Sequence, residues 1–151
     1  MSLRTAIVRR AIDVSALLAE VESTANGATI LFLGHVRELN DGRAVTGIEY
    51  SAYGEMAERE LAAIVSECAE HFEVAHLVAE HRLGALELGD VSIAIVVAHP
   101  HRAEAYEASR FVIEEVKRRL PIWKREGYAD GASEWVNAGG VAHEQPAQEQ
   151  Q

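Results

Sequence analysis

Residues 91–99 read Val-Ser-Ile-Ala-Ile-Val-Val-Ala-His, with apolar or small side chains on both faces of an extended chain. A strand of this composition is covered on both sides, so the stretch is predicted to be a central strand of a sheet. A long helix is predicted over residues 101–119. One face of that segment carries small and apolar residues at helical spacing: Ala105, Ala108, Val112 and Val116. Pro121 cannot continue a helix and is expected to end it.

Upstream of this stretch, a β-hairpin is predicted. Residues 28–36 are apolar and β-branched, which indicates a buried strand. Asn40-Asp41-Gly42 is a strong turn signal, and residues 45–53 are expected to return as the partner strand. Residues 88–90 mark a second turn, with a further strand predicted before it at residues 74–83.

The remaining elements follow from local signals. A first strand is predicted near residues 5–10, and Asp13 or Ser15 is expected to cap a short helix. Residues 56–72 have the apolar spacing of an amphipathic helix. Residues 123–135 are predicted to hold a loop and a last short strand.

These elements predict an α+β fold, with a mixed, mainly antiparallel sheet flanked by helices. Residues 1–136 are expected to form a single domain that contains the catalytic groups. Residues 137–151 are rich in Gly, Gln, Glu and Ala, which is typical of a disordered tail.

Composition excludes several classes of partner. The net charge of −10 repels phosphate backbones and anionic lipids, so neither nucleic acid nor membrane is an expected partner. The longest apolar runs are far too short to span a bilayer, and residues 1–10 show no signal-peptide core. One cysteine fits a reducing compartment, and the cytoplasm is the expected location.

The distribution of lysine is the strongest chemical signal. Lys117 and Lys124 are the two lysines of the chain, and the twelve other fixed cations are arginines. Guanidinium stays charged, whereas an amine can lose its proton and act as a base or nucleophile. If the two amines lie close together, each lowers the pKa of the other. Pairing of Lys117 with the macrodipole of its helix is the structural alternative, but it does not explain Lys124, which lies beyond Pro121.

Two further segments are candidates for anion binding. His101 and Arg102 begin the long helix, where free N–H groups favour a phosphate or carboxylate, although a simple surface cap is equally plausible. Arg37, in the segment Gly34-His35-Val36-Arg37, leaves a buried strand at a point suited to an anion or to a solvated hairpin charge. His101 and Lys117 are about 24 Å apart along one helix at 1.5 Å per residue. Both can serve one small ligand only if a second subunit supplies His101 and Arg102.

Neither a thiol nor a metal is expected to take part. Cys68 has only core residues at helical spacing around it, which indicates a buried structural thiol. The histidines form no tight ligand cluster, so no metal or other cofactor is predicted.

Taken together, these segments resemble the large, catalytic subunit of molybdopterin synthase. The resemblance runs from about residue 7 to residue 136 and depends on an ordered set of short motifs. They are Gly34-His35-Val36-Arg37, Ile48-Glu49-Tyr50, His81-Arg82-Leu83-Gly84, His101-Arg102, Lys117, and Pro121-Ile122-Trp123-Lys124-Arg125-Glu126.

The resemblance implies an α/β hammerhead fold and a sulfur-transfer reaction. Members of that family form a homodimer, and a small ubiquitin-like carrier docks at each end to give a heterotetramer. The C-terminal glycine thiocarboxylate of the carrier delivers sulfur to cyclic pyranopterin monophosphate, which forms the dithiolene of molybdopterin. By position, Lys117 and Lys124 match the essential lysines of the family. The substrate-contacting positions that match are His35, Val36, Arg37, His101, Arg102, Lys117, Lys124, Arg125 and Glu126.

Two other functions remain open from the residues alone. One is a non-catalytic module that docks a ubiquitin-like protein, although docking has no need of titratable amines. The other is a lysine Schiff-base enzyme that acts on a phosphorylated carbonyl compound.

Overall fold

The computed structural model describes residues 1–133 and 135–137. The elements are β1 (Ser2–Val8), α1 (Val14–Glu20), β2 (Ala28–His35), β3 (Leu39–Asn40), β4 (Arg43–Ala52), α2 (Gly54–Phe72), β5 (His76–Arg82), β6 (Gly84–Leu86), β7 (Val91–His99), α3 (Arg102–Arg119), β8 (Ile122–Tyr128) and β9 (Trp135–Asn137). The α+β class with mainly antiparallel pairing is confirmed, because β1 and β5 form the parallel pair and the other pairings are antiparallel.

The first sheet has the order β1-β5-β7-β2, so β7 lies between two neighbours as predicted. Its side chains alternate between two apolar layers. Ile93, Ile95 and Val97 belong to the larger cluster, which α2 and α3 share. The intervening residues of β7 pack with α1 in a smaller cluster. Coverage of both faces explains why β7 is apolar without interruption from Ile93 to Ala98.

The predicted long hairpin is wrong, because β2 pairs with β7 and not with β4. The predicted turn is present, since Asp41 and Gly42 have positive φ values of 50° and 78°. The strand that enters this turn is the two-residue β3. The main-chain hydrogen bonds of Val36 account for the pairing of β2 with β7. The Val36 N–H donates to the Asp90 carbonyl, and the Val36 carbonyl accepts from the Gly89 N–H. These bonds tie the end of β2 to the turn before β7.

The second sheet is built around β4, which pairs with β3, β6 and β8, while β9 extends β8. The segment after Pro121 is therefore a strand over Ile122–Tyr128 and not the predicted loop. Lys124 lies opposite Tyr50 of β4 in this pairing. A paired strand gives Lys124 a fixed direction, because successive side chains of a strand point to opposite faces.

Helix α3 connects the two sheets and carries the first lysine. His101 is its N-cap residue and Leu120 its C-cap residue, so the predicted bounds and the stop before Pro121 are confirmed. Near its C-terminus, Arg119 donates to Glu60 and Glu67 of α2. This clamp joins the last turn of α3 to the neighbouring helix and holds the backbone around Lys117.

Asn137, the first residue of the predicted tail, belongs to β9. The rest of that tail, residues 138–151, lies outside the described residues, and its disorder stays a prediction. No helix in the described part of the chain is long and apolar enough to cross a membrane.

Candidate active site

Lys117 and Lys124 line the same cavity, which has a volume of about 170 Å³. Lys117 comes from the last turn of α3, and Lys124 comes from the third position of β8. Strand β2 and the residues after it supply His35 and Arg37 to the same wall. The structure therefore brings together four of the cationic or titratable side chains that the sequence singled out.

The charge of this cavity is mainly positive. Desolvation lowers the pKa of Lys117, and the nearby positive charges of Lys124 and Arg37 lower that pKa further. Lys117 is exposed when the whole residue is considered. Its pKa depends on the surroundings of the ammonium group, and that group is partly shielded from water. A lysine with a lowered pKa can exchange a proton near neutral pH more readily than an ordinary surface lysine.

Glu126 supplies a carboxylate to the cavity wall and holds Lys124. Its Oε1 atom lies 3.1 Å from Lys124 Nζ. Asn40 Nδ2 and the Tyr128 hydroxyl donate to Oε2 at 2.7 and 2.8 Å. Burial alone would raise the pKa of Glu126, but the bonds from Tyr128, Lys124 and Asn40 together hold that pKa below its usual value.

The rest of the wall is largely apolar or neutral. Phe32, Ile48 and Ile113 line it from three different elements. Burial raises the pKa of Tyr50, another wall residue, while its hydrogen bond with Ser92 opposes that shift. A pocket with an apolar wall and clustered cations is suited to a flat anionic ligand.

The structure does not bring all predicted site residues to this cavity. His101 and Arg102 are exposed at the opposite end of α3 from Lys117. The His101 N–H donates to His99 Nδ1 at 2.9 Å, so His99 orders the start of the helix. Their binding role stays a prediction that needs a second subunit.

Val36 and Arg125 also lie away from the cavity wall. Val36 is 3% exposed and packs in the main core. Arg125 points to the opposite face of β8 from Lys124, where it pairs with Glu49 and lies 5.1 Å from the ring of Trp135. Their predicted contacts with substrate stay untested.

Asn40, Tyr50, Ser92 and Tyr128 are site residues that the sequence analysis missed. Tyr128 could have been found from alternation, because Lys124, Glu126 and Tyr128 are spaced by two and share one face of a strand. The sequence predicts a loop for much of this segment, and a two-residue period has a meaning only in a strand. Asn40 gave only a turn signal, and its contact with Glu126 is 86 residues away in sequence.

Cys68 is a buried structural thiol. Its Sγ donates to the Ala108 carbonyl at 3.5 Å, and burial raises the pKa of the thiol to about 12. It is not part of the cavity wall. Among residues 1–133 and 135–137, no group of three or more His, Cys, Asp or Glu side chains is arranged to hold a metal ion.

Comparison with known proteins gives a consistent set of relatives. A family model described as MoaE protein matches residues 7–119, which contain Lys117 and end before Lys124. The molybdopterin synthase catalytic subunit of Halalkalibacterium halodurans is 42% identical over 135 residues, which cover 89% of this chain and 86% of that protein. Molybdopterin synthase catalytic subunit 1 of Mycobacterium tuberculosis is 40% identical over 125 residues, covering 83% of this chain and 84% of that protein.

A solved structure agrees with these relatives. The crystal structure of molybdopterin synthase from Staphylococcus aureus matches with a TM-score of 0.80 at 37% identity, covering 85% of this chain and 93% of that one. This match confirms the predicted hammerhead fold.

Proposed function

The chain belongs to the MoaE protein family, and from this we propose that it is the catalytic subunit of a molybdopterin synthase. It transfers sulfur from a thiocarboxylated small carrier protein to cyclic pyranopterin monophosphate and forms the dithiolene of molybdopterin. The observation that carries the proposal is the convergence of Lys117, Lys124 and Arg37 on one cavity.

The cavity suits the substrate in shape and charge. Arg37 and His35 are placed to bind the phosphate, because a guanidinium makes charge-assisted hydrogen bonds to phosphate oxygens and a histidine ring N–H can donate to them. Phe32, Ile48 and Ile113 offer an apolar surface to the flat rings. The chain as a whole has a net charge of −10, so most of its surface repels an anion. The positive cavity is therefore the place where an anionic substrate is expected to bind.

Sulfur has to arrive on a partner protein. Cys68 is the one cysteine of the chain, and its thiol is buried and protonated. The sulfur donor is therefore the C-terminal thiocarboxylate of a separate ubiquitin-like carrier, which enters the cavity beside the lysines. The cytoplasm is the compartment that we propose, since a reducing environment preserves such a thiocarboxylate.

The two lysines have different roles in this mechanism. In each step the thiocarboxylate sulfur forms a bond to a carbon of the pterin side chain, and the oxygen substituent of that carbon leaves, as water or as the phosphate ester oxygen. A water molecule then hydrolyses the acyl–sulfur bond, so that the carrier departs as a carboxylate and the sulfur stays on the pterin as a thiolate. Lys117 transfers protons, because its pKa is lowered by desolvation and by neighbouring cations. Lys124, held by Glu126, stabilises the negative charge that develops on the acyl oxygen.

We propose that the working unit is a homodimer within a heterotetramer. His101 and Arg102 lie one helix length from Lys117, so they reach a substrate only from a neighbouring subunit. In that arrangement they add two more groups that bind phosphate. The carriers dock at the outer ends, away from the contact between the two large subunits.

Single substitutions of the lysines test the proposed function. Lys117→Ala and Lys124→Ala, assayed with a pre-charged carrier and the pterin phosphate, should each lower the rate of product formation at least about 100-fold. Arg110→Ala is the matched control, because Arg110 is an exposed cation on α3 whose pair with Glu114 is open to solvent. Near-normal rates in both lysine variants would refute the assignment. Carrier binding without turnover by the wild-type protein would indicate a docking module instead.

A further inference from the structure

We propose that Tyr128 is a positioning residue that orients the Glu126 carboxylate, and through it the Lys124 ammonium, with Asn40 as a second brace. This inference rests on the proposed function, because its consequence is a change in sulfur transfer. Tyr128 belongs to neither set of predicted site residues and reaches the reaction only through Glu126.

The two oxygens of Glu126 have different partners. Oε1 faces Lys124 Nζ at 3.1 Å. Oε2 accepts from two neutral donors, Tyr128 and Asn40, at 2.8 and 2.7 Å. Because the neutral donors occupy Oε2, the carboxylate plane is set and Oε1 is left for the lysine. Rotation of the carboxylate would break both neutral bonds at once.

Packing alone does not hold these side chains in place. A second cavity of about 240 Å³ borders Asn40, Lys124, Glu126 and Tyr128. Open space beside a side chain permits other rotamers, so the hydrogen bonds select the observed one. Lys124 therefore depends on the bonds of Glu126 for its direction.

Tyr128 is itself held from outside the site. The guanidinium of Arg43 lies 3.6 Å from the centroid of its ring, and Arg43 pairs with Asp130 at 3.2 Å. The Tyr128 backbone N–H donates to the Ala132 carbonyl at 3.1 Å. The ring is thus fixed independently of Glu126, which is the property that a positioning residue needs.

The electrostatics agree with this geometry. The groups that contact Glu126 are Lys124 and Tyr128 on its own strand and Asn40 on β3. Tyr50 on β4 interacts with it electrostatically, and the cations of Lys117 on α3 and Arg37 after β2 line the same cavity. Burial and the bond to Glu126 raise the pKa of Tyr128, so its hydroxyl keeps the proton that it donates. Loss of that donor removes one of the contacts that lower the pKa of Glu126.

Tyr128→Phe is the direct test, because it removes the hydroxyl and keeps the ring under Arg43. We expect kcat for sulfur transfer to fall about three- to tenfold, with KM for the pterin changed less than about twofold. Tyr106→Phe is the matched control, because Tyr106 is 62% exposed on α3 and lies outside the described cavity walls. It should retain the wild-type kcat.

A double-mutant cycle separates positioning from general destabilisation. If Tyr128 acts through Glu126, Tyr128→Phe should lower kcat much less in a Glu126→Gln background than in the wild type. An equal loss in both backgrounds would overturn the proposal, as would a wild-type kcat in the single variant.

A third readout does not depend on activity. Titration of the ¹³C-labelled glutamate carboxyls by NMR, with Glu126 assigned from Glu126→Gln, should show a higher pKa for Glu126 in Tyr128→Phe than in the wild type. The acid limb of the pH–rate profile should move to higher pH in the same variant. An unchanged Glu126 titration would contradict the inference even if activity fell. Absence of synthase activity in the wild-type protein would instead refute the proposed function. The titration of Glu126 would still test whether Tyr128 contacts and orients its carboxylate.

Discussion

Lys117 and Lys124 are seven residues apart in the chain, but they reach one cavity from different elements. Both carry a primary amine in a chain that otherwise uses arginine for fixed positive charge. Their closeness has a measurable consequence, because a neighbouring cation disfavours the protonated form of an amine. At the residue scale, the candidate site is a lysine whose pKa is lowered by a second lysine, with one carboxylate to orient the second.

The first prediction concerns the pKa of Lys117. Lys124→Ala should raise that pKa toward the ordinary lysine value, because it removes a like charge that lowers it. With ¹³C-labelled lysine the wild type contains two side-chain signals and the variant one, so no further assignment is needed. Arg59→Ala, at an exposed arginine of α2 outside the cavity wall, is the control and should leave the titration of Lys117 unchanged. A lower or unchanged pKa in Lys124→Ala would contradict the coupling.

The second prediction concerns His81, which is buried beside the ring of Tyr50. Desolvation lowers the pKa of His81 from 6.5 to about 4, and the charge of Lys117 contributes to the shift. The unfolded state therefore binds a proton first as pH falls. The stability contribution is complete above about pH 6.5 and is lost as pH falls toward 4. Titration of His81 alone should lower the free energy of unfolding by about 2 kcal/mol as the pH falls from 7 to 5.

Urea unfolding of the wild type and His81→Gln at both pH values measures that difference. The variant should lose about 2 kcal/mol less than the wild type over this range. His71→Gln, at an exposed histidine of α2, should follow the wild type. Parallel losses in the wild type and His81→Gln would show that His81 does not titrate as described.

At the scale of elements, the site depends on how α3 is anchored at both ends. Arg119 joins its last turn to α2 through Glu60 and Glu67. Its N-terminal end is held through His99, the last residue of β7, whose Nδ1 accepts from the His101 N–H at 2.9 Å. The His99 carbonyl in turn accepts from the N–H of Gly27, just before β2, at 3.1 Å. A helix that is held at both ends presents Lys117 and His101 in fixed directions.

The third prediction tests the close contact between Gly27, just before β2, and Pro100, just before α3. A Cβ atom at Gly27 would lie 2.5 Å from the Pro100 carbonyl oxygen, which is backbone and cannot rotate away. Gly27→Ala should lower the free energy of unfolding by about 1–3 kcal/mol. Gly54→Ala is the matched control, because a Cβ there meets no described atom within 4 Å. In α2 that change should be neutral or stabilising by up to about 1 kcal/mol. Equal free energies of unfolding for the two variants, measured in urea, would show that a Cβ atom at Gly27 does not clash with Pro100.

At the scale of the whole molecule, the predicted site groups lie at two separate places. Lys117, Lys124 and Arg37 share the cavity, whereas His101 and Arg102 lie at the far end of α3. A two-fold dimer would place each far end near the cavity of the other subunit. One site would then contain residues of both chains.

The fourth prediction uses a heterodimer purified with two different tags. One subunit carries Lys117→Ala and the other carries Arg102→Ala, and each variant alone is expected to lose at least about tenfold in rate. If Arg102 acts across the dimer, the heterodimer contains one intact site of two and should recover about half of the wild-type rate. If Arg102 acts within its own subunit, both sites stay damaged and no recovery occurs. A heterodimer of Lys117→Ala and wild-type subunits is the control for tag and exchange effects.

The sequence by itself determined the features that depend on local rules. The period of α2 and α3, the two-sided apolar strand β7, and the helix stop before Pro121 follow from side-chain periodicity and from the fixed φ of proline. The contrast between two lysines and twelve arginines singled out the two lysines that line the cavity, because it is a property of composition.

Tertiary structure alone decided which strands pair and which side chains meet. The pairing of β2 with β7, in place of β4, depends on bonds between Val36 and the turn before β7, more than fifty residues away. The strand character of β8 arises from its ladder with β4, and so does the direction of Lys124. The brace of Asn40 and Tyr128 on Glu126 needs both sheet partners in place. Such contacts carry no local period, since they join segments that become neighbours only when the chain folds.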